Sequence, residues 1–174
     1  MKINESTKYN IVLIGMPASG KSTVGVILAK ILGKDFIDTD IIIQQKEGAR
    51  LSQIIEKTGV EGFLKAEEWA ILSIRANDTV ISTGGSVVYS DVAMNHLKSG
   101  SIIVFLKVRK EELFVRLKDI DERGVVLRNG ESIDEMYDIR SKLYEKYADI
   151  TIVEDGLTIE GTVQAIRKNI GGQT

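Results

Sequence analysis

Short, almost wholly apolar runs alternate along this chain with stretches whose apolar residues recur every three or four positions. "YNIVLIG" (residues 9–15) is short, β-branched and closed by glycine, which predicts a buried strand. Residues 21–32 place Val24, Ile27, Leu28 and Ile31 on one helical face, with Gly33 as the stop. "DFID" (35–38) predicts a second strand, followed by helix to about residue 57 that is strongest over 51–59, and then a separate helix over 62–75. "DTVISTGG" (78–85) reads as a third strand running into a glycine turn, and 91–98 as a short helix. "SIIVFLKV" (101–108) is the fourth strand and 110–117 a helix. Residues 118–131 carry many charges and little periodicity. Residues 132–147 form a helix capped by Ser132, with Glu135 at the reach-back position; "DITIVE" (149–154) is the fifth strand, and 158–170 the last helix.

Five apolar strands separated by helices predict an α/β fold, a five-stranded parallel sheet with helices on both faces, three layers in all. At 174 residues and 43% hydrophobic, the chain is expected to form one domain with an ordinary core. Lys plus Arg number 23 against 25 Asp plus Glu, a formal net charge of -2, which argues against a general nucleic-acid partner. No apolar run approaches the ~18 residues that would argue for a membrane span, and the polar first ten residues lack the apolar core of a signal peptide. With no cysteine there is no thiolate chemistry, and the expectation is a cytoplasmic, soluble, monomeric enzyme or binding domain.

Gly15-Met16-Pro17-Ala18-Ser19-Gly20-Lys21-Ser22 matches G-x-x-x-x-G-K-[ST], with a strand before and a helix after. Such a loop turns its N–H groups, including those of Ala18, Ser19, Gly20, Lys21, Ser22 and Thr23, towards one concavity at a helix N-terminus, a nest for the phosphates of ATP. Lys21 can bridge the β- and γ-phosphates, and the Ser22 hydroxyl can ligate Mg²⁺. Three further segments would lie near the carboxyl ends of the strands, where ligands bind in such sheets. Asp38-Thr39-Asp40 could hold a metal-bound water and an acceptor hydroxyl, or could cap a helix. Thr83-Gly84-Gly85-Ser86 could let a ligand approach the backbone, or could be a plain turn. Arg116, Arg123, Arg128 and Arg140 could meet phosphate or carboxylate, or could be solvated.

Together, "GMPASGKST", "DTD", "STGGS", the Arg116 to Arg123 spacing and "RSKLYEKYAD" resemble the shikimate kinase family of small P-loop phosphotransferases, over residues 9 to about 153. The resemblance implies a P-loop kinase fold with an acceptor region near 41–76 and a lid near 118–131. It implies ATP and Mg²⁺ as cofactors, with a small hydroxylated acid as the acceptor, in aromatic amino acid biosynthesis. It implies that Lys21 and the loop from Gly15 hold the phosphates and that Ser22 and Asp38 serve the metal. Asp40 would orient or deprotonate the acceptor hydroxyl, and Gly84 and Gly85 would line the acceptor. Arg116 would lie on the adenine side, Arg123 would reach the transferring phosphate from the lid, and Arg140 would bind the acceptor's carboxylate.

The chain departs from the family pattern in three places. Phe63-Leu64 stands where the family has Phe-Arg, Ser86 where it has a third glycine, and Arg123-Gly124 where it has Arg-Pro. Leucine cannot form the charged fork that grips a carboxylate, a loss of about 1.5–3 kcal/mol in a buried site. Glu67, four after Phe63, matches a family glutamate that supports the missing arginine. Two of these changes are expected in the acceptor pocket, so a kinase of another sugar acid or cyclitol stays open, as does a nucleotide-binding regulator without phosphotransfer. Among the remaining residues, His96 is expected at the surface and Trp69 in the core or on the acceptor wall.

Overall fold

The computed structural model describes residues 9–118, 125–128 and 130–171. Its centre is β1 (Asn10–Gly15), buried at all six positions. Around it lie β2 (Asp35–Asp38), β3 (Thr79–Ser82), β4 (Ser101–Lys107) and β5 (Ile150–Val153), in the order β2-β3-β1-β4-β5 with every pairing parallel. Residue Ile11 is level with Val80 of β3 on one side and Ile102 of β4 on the other.

Successive side chains of a strand face opposite ways, and β1 divides its four aliphatic residues accordingly. Val12 and Ile14 join Ile81, Ile103 and Phe105 in one apolar cluster. That cluster is covered by α3 (Leu51–Ser73), α4 (Asp91–Lys98), α5 (Lys110–Lys118) and α6 (Ile133–Tyr147). Ile11 and Leu13 join Val80, Val104 and Ile152 on the opposite face, beneath α1 (Lys21–Leu32) and α7 (Ile159–Gly171). A third, smaller cluster ties α2 (Thr39–Glu47) to α3 through Ile43, Ile54, Phe63 and Ala70, with Val126 added from outside. The expected three-layer α/β architecture is therefore present. Among the described residues no helix is long and apolar enough to cross a membrane.

Most element boundaries fall within a residue or two of those read from the pattern. Within 51–73 the helix is broken at Gly59 (φ 69, ψ 177) into two segments, as the sequence suggests. Glycine tolerates that left-handed φ at little cost, so the helical hydrogen bonding resumes directly after the kink. Trp69 is neither core nor cleft wall; it is 43% exposed, with the Lys46 ammonium 3.4 Å from its ring centroid. His96 is half-buried rather than free at the surface, its Nε2 3.2 Å from the Ile74 carbonyl at the end of α3.

Candidate active site

The loop between β1 and α1 crosses the carboxyl end of the sheet, beside the point where strand order reverses. Gly15 is required there by space: a Cβ would lie 2.6 Å from the Leu106 carbonyl oxygen and 3.0 Å from Ser19 Oγ. Gly20 (φ 80) precedes α1, and Ala18 (φ 63) takes a left-handed conformation unusual for a residue with a side chain. These turns leave the Lys21 ammonium buried against its own loop. It donates to the Gly15 and Met16 carbonyls at 2.9 and 2.7 Å and lies 3.4 Å from Ser19 Oγ. Burial lowers its pKa to about 8, and the carboxylates Asp40 and Asp38 oppose that shift.

A cleft of about 780 Å³ opens beside this loop. Ala18, Gly20, Lys21, Ser22 and Thr23 line its phosphate-loop side; Asp38, Asp40, Gly84, Gly85 and Arg140 line the rest. Ten residues singled out from separate parts of the sequence thus share one cavity, with Ser19 fully buried behind it.

Asp38 caps α2 and also lines the cleft. Its Oδ1 accepts from the Asp40 N–H at 3.0 Å. Asp40 Oδ1 is buried with no hydrogen-bond partner. Burial and the neighbouring Asp38 raise the Asp40 pKa to about 6, while Lys21 pulls it down. The carboxyl is therefore ionised at neutral pH but poised to take up a proton.

The turn after β3 is a junction rather than a plain turn. Thr83 Oγ1 donates to the Leu13 carbonyl at 2.9 Å, and the Gly84 N–H donates to Thr39 Oγ1 of α2 at 3.1 Å. The Tyr144 hydroxyl of α6 donates to the Gly85 carbonyl at 2.5 Å, its ring stacked on Phe105. Ser86 Oγ donates to Glu67 Oε2 of α3 at 2.6 Å. Glu67 is 1% exposed, and its Oε1 has no partner. Burial and the Asp40 charge raise its pKa to about 7, against the Ser86 hydrogen bond and Arg140. Neither Tyr144 nor Ser86 is visible as a clamp in the sequence; the four-residue spacing of Arg140 and Tyr144 on one helix was the only signal.

Arg140 is 1% exposed. Its Nε donates to the Tyr89 hydroxyl at 3.2 Å, its Nη2 donates to the Val126 carbonyl, and the guanidinium lies 5.0 Å from the Tyr89 ring centroid. Arg116 is not among the cleft-lining residues. It braces the phosphate loop from behind, donating from Nη1 to the Ala18 carbonyl at 3.2 Å and pairing with Glu112 and Glu154. Leu64 also differs from expectation. It lines a second cavity of about 270 Å³ that shares Glu67 and Ser86 with the main cleft, so only Ser86 of the two expected substitutions reaches the main cleft. Arg128 stacks over Tyr89 at 4.0 Å and lines that second cavity. Arg123 lies outside the described residues.

Comparison with known proteins gives a consistent picture. The family model described as shikimate kinase matches residues 17–171. A shikimate kinase of Thermodesulfovibrio yellowstonii is 40% identical over 162 residues, 91% of this chain and 93% of that protein. The structure of shikimate kinase from Acinetobacter baumannii in complex with shikimate superposes with a TM-score of 0.87 at 31% identity, covering 97% of this chain and 96% of that one. Shikimate kinase from Aquifex aeolicus gives 0.80 at 37% identity, covering 94% and 96%. A phosphate-binding loop facing an unpartnered carboxylate across one cleft suits a small-molecule kinase, and by these likenesses in sequence and fold the chain belongs to the shikimate kinase family.

Proposed function

We propose that this enzyme transfers the γ-phosphate of ATP to a hydroxyl of shikimate, giving shikimate 3-phosphate. The observation that carries this reading is the buried Asp40 Oδ1, which has no partner and lies in the same cleft as the Lys21 ammonium. An acceptor hydroxyl donating to that oxygen satisfies it and presents its own oxygen towards the phosphate loop. Asp40, ionised above a pKa of about 6, takes the hydroxyl proton as the new bond forms. Lys21 exchanges its loop carbonyls for phosphate oxygens and neutralises charge on the transferring group.

The residues fit Mg²⁺ bound with the nucleotide. Ser22 and Asp38 line one cleft with the loop, and among the described residues no three His, Cys, Asp or Glu side chains gather into a site of their own. That donor set suits an ion that takes one or two protein oxygens and fills its shell with phosphate and water. When bound with the nucleotide, Mg²⁺ would supply charge neutralisation to the phosphates. Gly84 and Gly85 let the acceptor approach the backbone, Arg140 meets its carboxylate, and Arg116 supports the nucleotide side of the loop. Arg123 would reach the transferring phosphate from a lid over residues 118–131, with 41–76 as the acceptor region of a single domain. A cytoplasmic, monomeric enzyme of aromatic amino acid biosynthesis is consistent with these roles.

The test is ADP release with ATP, Mg²⁺ and shikimate, for wild type and Lys21→Met. Shikimate-dependent release that falls by about 10²–10³-fold in the variant is expected. No shikimate-dependent release, or a variant near the wild-type rate, would refute the reading.

A further inference from the structure

An acceptor acid brings a carboxylate into a cleft that already holds Asp38, Asp40 and Glu67. That charge has to be met by cations, and three of the described lining residues supply them: Lys21, Arg50 and Arg140. Lys21 sits at the phosphate end, bound to its own loop. Arg140 has two of its three nitrogens committed, Nε to Tyr89 and Nη2 to Val126. Its other N–H groups can still meet an anion, but its charge already faces the buried Glu67 carboxyl, so a second cation at the acceptor end has a role. Leu64 offers no donor and lines the neighbouring cavity.

Arg50 is different on each count. Its backbone is fixed at the start of α3: its N–H donates to Gln53 Oε1 at 3.0 Å and its carbonyl accepts from the Ile54 N–H at 3.0 Å. Leu51 and Ser52 follow it into the cleft wall, which Gln44 and Phe63 also line. Its guanidinium, exposed at the cleft margin, has no hydrogen bond or ion pair with any described residue. A fork with all donors free, on an anchored backbone, can swing onto an anion without breaking an existing contact.

We propose that Arg50 is a binding residue for the acceptor's carboxylate and shares that anion with Arg140. The assignment rests on the proposed function above. It places acceptor recognition at the first turn of α3, ahead of the kink at Gly59, rather than at position 64 beyond it.

Steady-state kinetics of wild type, Arg50→Ala and Arg50→Lys, with shikimate and with its methyl ester, tests this. For shikimate, Arg50→Ala should raise KM about 10- to 100-fold, the worth of a charged hydrogen-bond pair, and leave KM for ATP within about twofold. Arg50→Lys should fall between. With the ester, whose carboxylate is gone, wild type and Arg50→Ala should have the same KM. An unchanged shikimate KM in Arg50→Ala, or an equal loss with acid and ester, overturns the assignment. Wild type that does not turn over shikimate overturns the functional reading, and this assignment falls with it.

Discussion

Glu67 should make the stability of this protein fall between pH 5 and pH 8, and Glu67→Gln should remove its part of that fall. The carboxyl is 1% exposed, has one hydrogen bond, from Ser86 Oγ at 2.6 Å, and leaves Oε1 unpaired. Its folded pKa is raised from 4.5 to about 7, chiefly by burial. The folded chain therefore keeps a proton that the unfolded chain releases above 4.5. The stabilisation is complete below about 4.5, drains as pH climbs to about 7, and is constant beyond. At ~1.4 kcal/mol per pH unit, a displacement from 4.5 to about 7 is worth roughly 3 kcal/mol, most of it between pH 5 and 8. Glutamine is isosteric, neutral throughout and still accepts from Ser86. Asp40, raised to about 6, drains in the same sense in both proteins, so their difference reports Glu67 and the relief its neutralisation gives Asp40. Urea unfolding of the ligand-free proteins across this range is the assay. The wild-type midpoint should drop relative to Glu67→Gln by about 1 M from pH 5 to pH 8, taking m near 2 kcal/mol/M. Ser86→Ala should diverge the opposite way. It should cost about 1 kcal/mol at pH 5, where a neutral hydrogen bond is lost, and about 1.5–3 kcal/mol at pH 8, where a buried charge loses its donor. Parallel midpoint profiles for wild type and Glu67→Gln would refute the reasoning.

Two further predictions probe the two ends of the cleft. Gly84→Ala places a Cβ 2.0 Å from Glu67 Oε1 and 3.1 Å from Asp40 Oδ1, so the acceptor wall must shift. Shikimate kcat/KM should fall about 10²-fold, the cost of an Ångström-scale misplacement, in a protein whose far-UV circular dichroism is unchanged; wild-type kinetics would show that the wall is not where the acceptor sits. Arg116→Ala removes the brace on the Ala18 carbonyl and should raise KM for ATP about tenfold while leaving KM for shikimate unchanged. An increase in shikimate KM instead would place Arg116 on the wrong side of the cleft.

What could be read from the sequence, and what could not, divides by distance along the chain. The phosphate loop was legible because its whole mechanism lies within residues 12–23: a buried strand, glycines at the turns, lysine and serine at the helix start. The same holds for the Ser132 cap and its Glu135 partner, three residues apart. Asp38 capping α2 was also legible, and the capping residue still lines the cleft. The clamps on the turn after β3 join residues 19, 45 and 59 apart, and no periodicity records which distant hydroxyl will face a given carbonyl. Trp69 misled because an aromatic at helical spacing usually packs inward; here a lysine covers it at the surface. Leu64 was placed in the acceptor pocket by analogy of position, yet it faces the adjoining cavity.

The two halves of the cleft are built from different materials. The phosphate half is main-chain N–H groups and one lysine, set by a local turn that any suitable sheet can carry. The acceptor half is made of side chains from α2, α3 and α6 that meet at residues 83–86. A buried carboxylate in such a junction needs a donor wherever it can find one. If an arginine at position 64 normally supplies it, replacing that residue by leucine alone would strand Glu67 with both oxygens unpaired, a large cost at neutral pH. Serine at position 86 provides a hydroxyl 2.6 Å from Oε2, so the two departures from the family pattern act as one change. The donor to Glu67 comes from the turn rather than from its own helix. The environment of Glu67 is thus set by how three helices are fastened to one turn, and a single-residue comparison at position 64 would misjudge it.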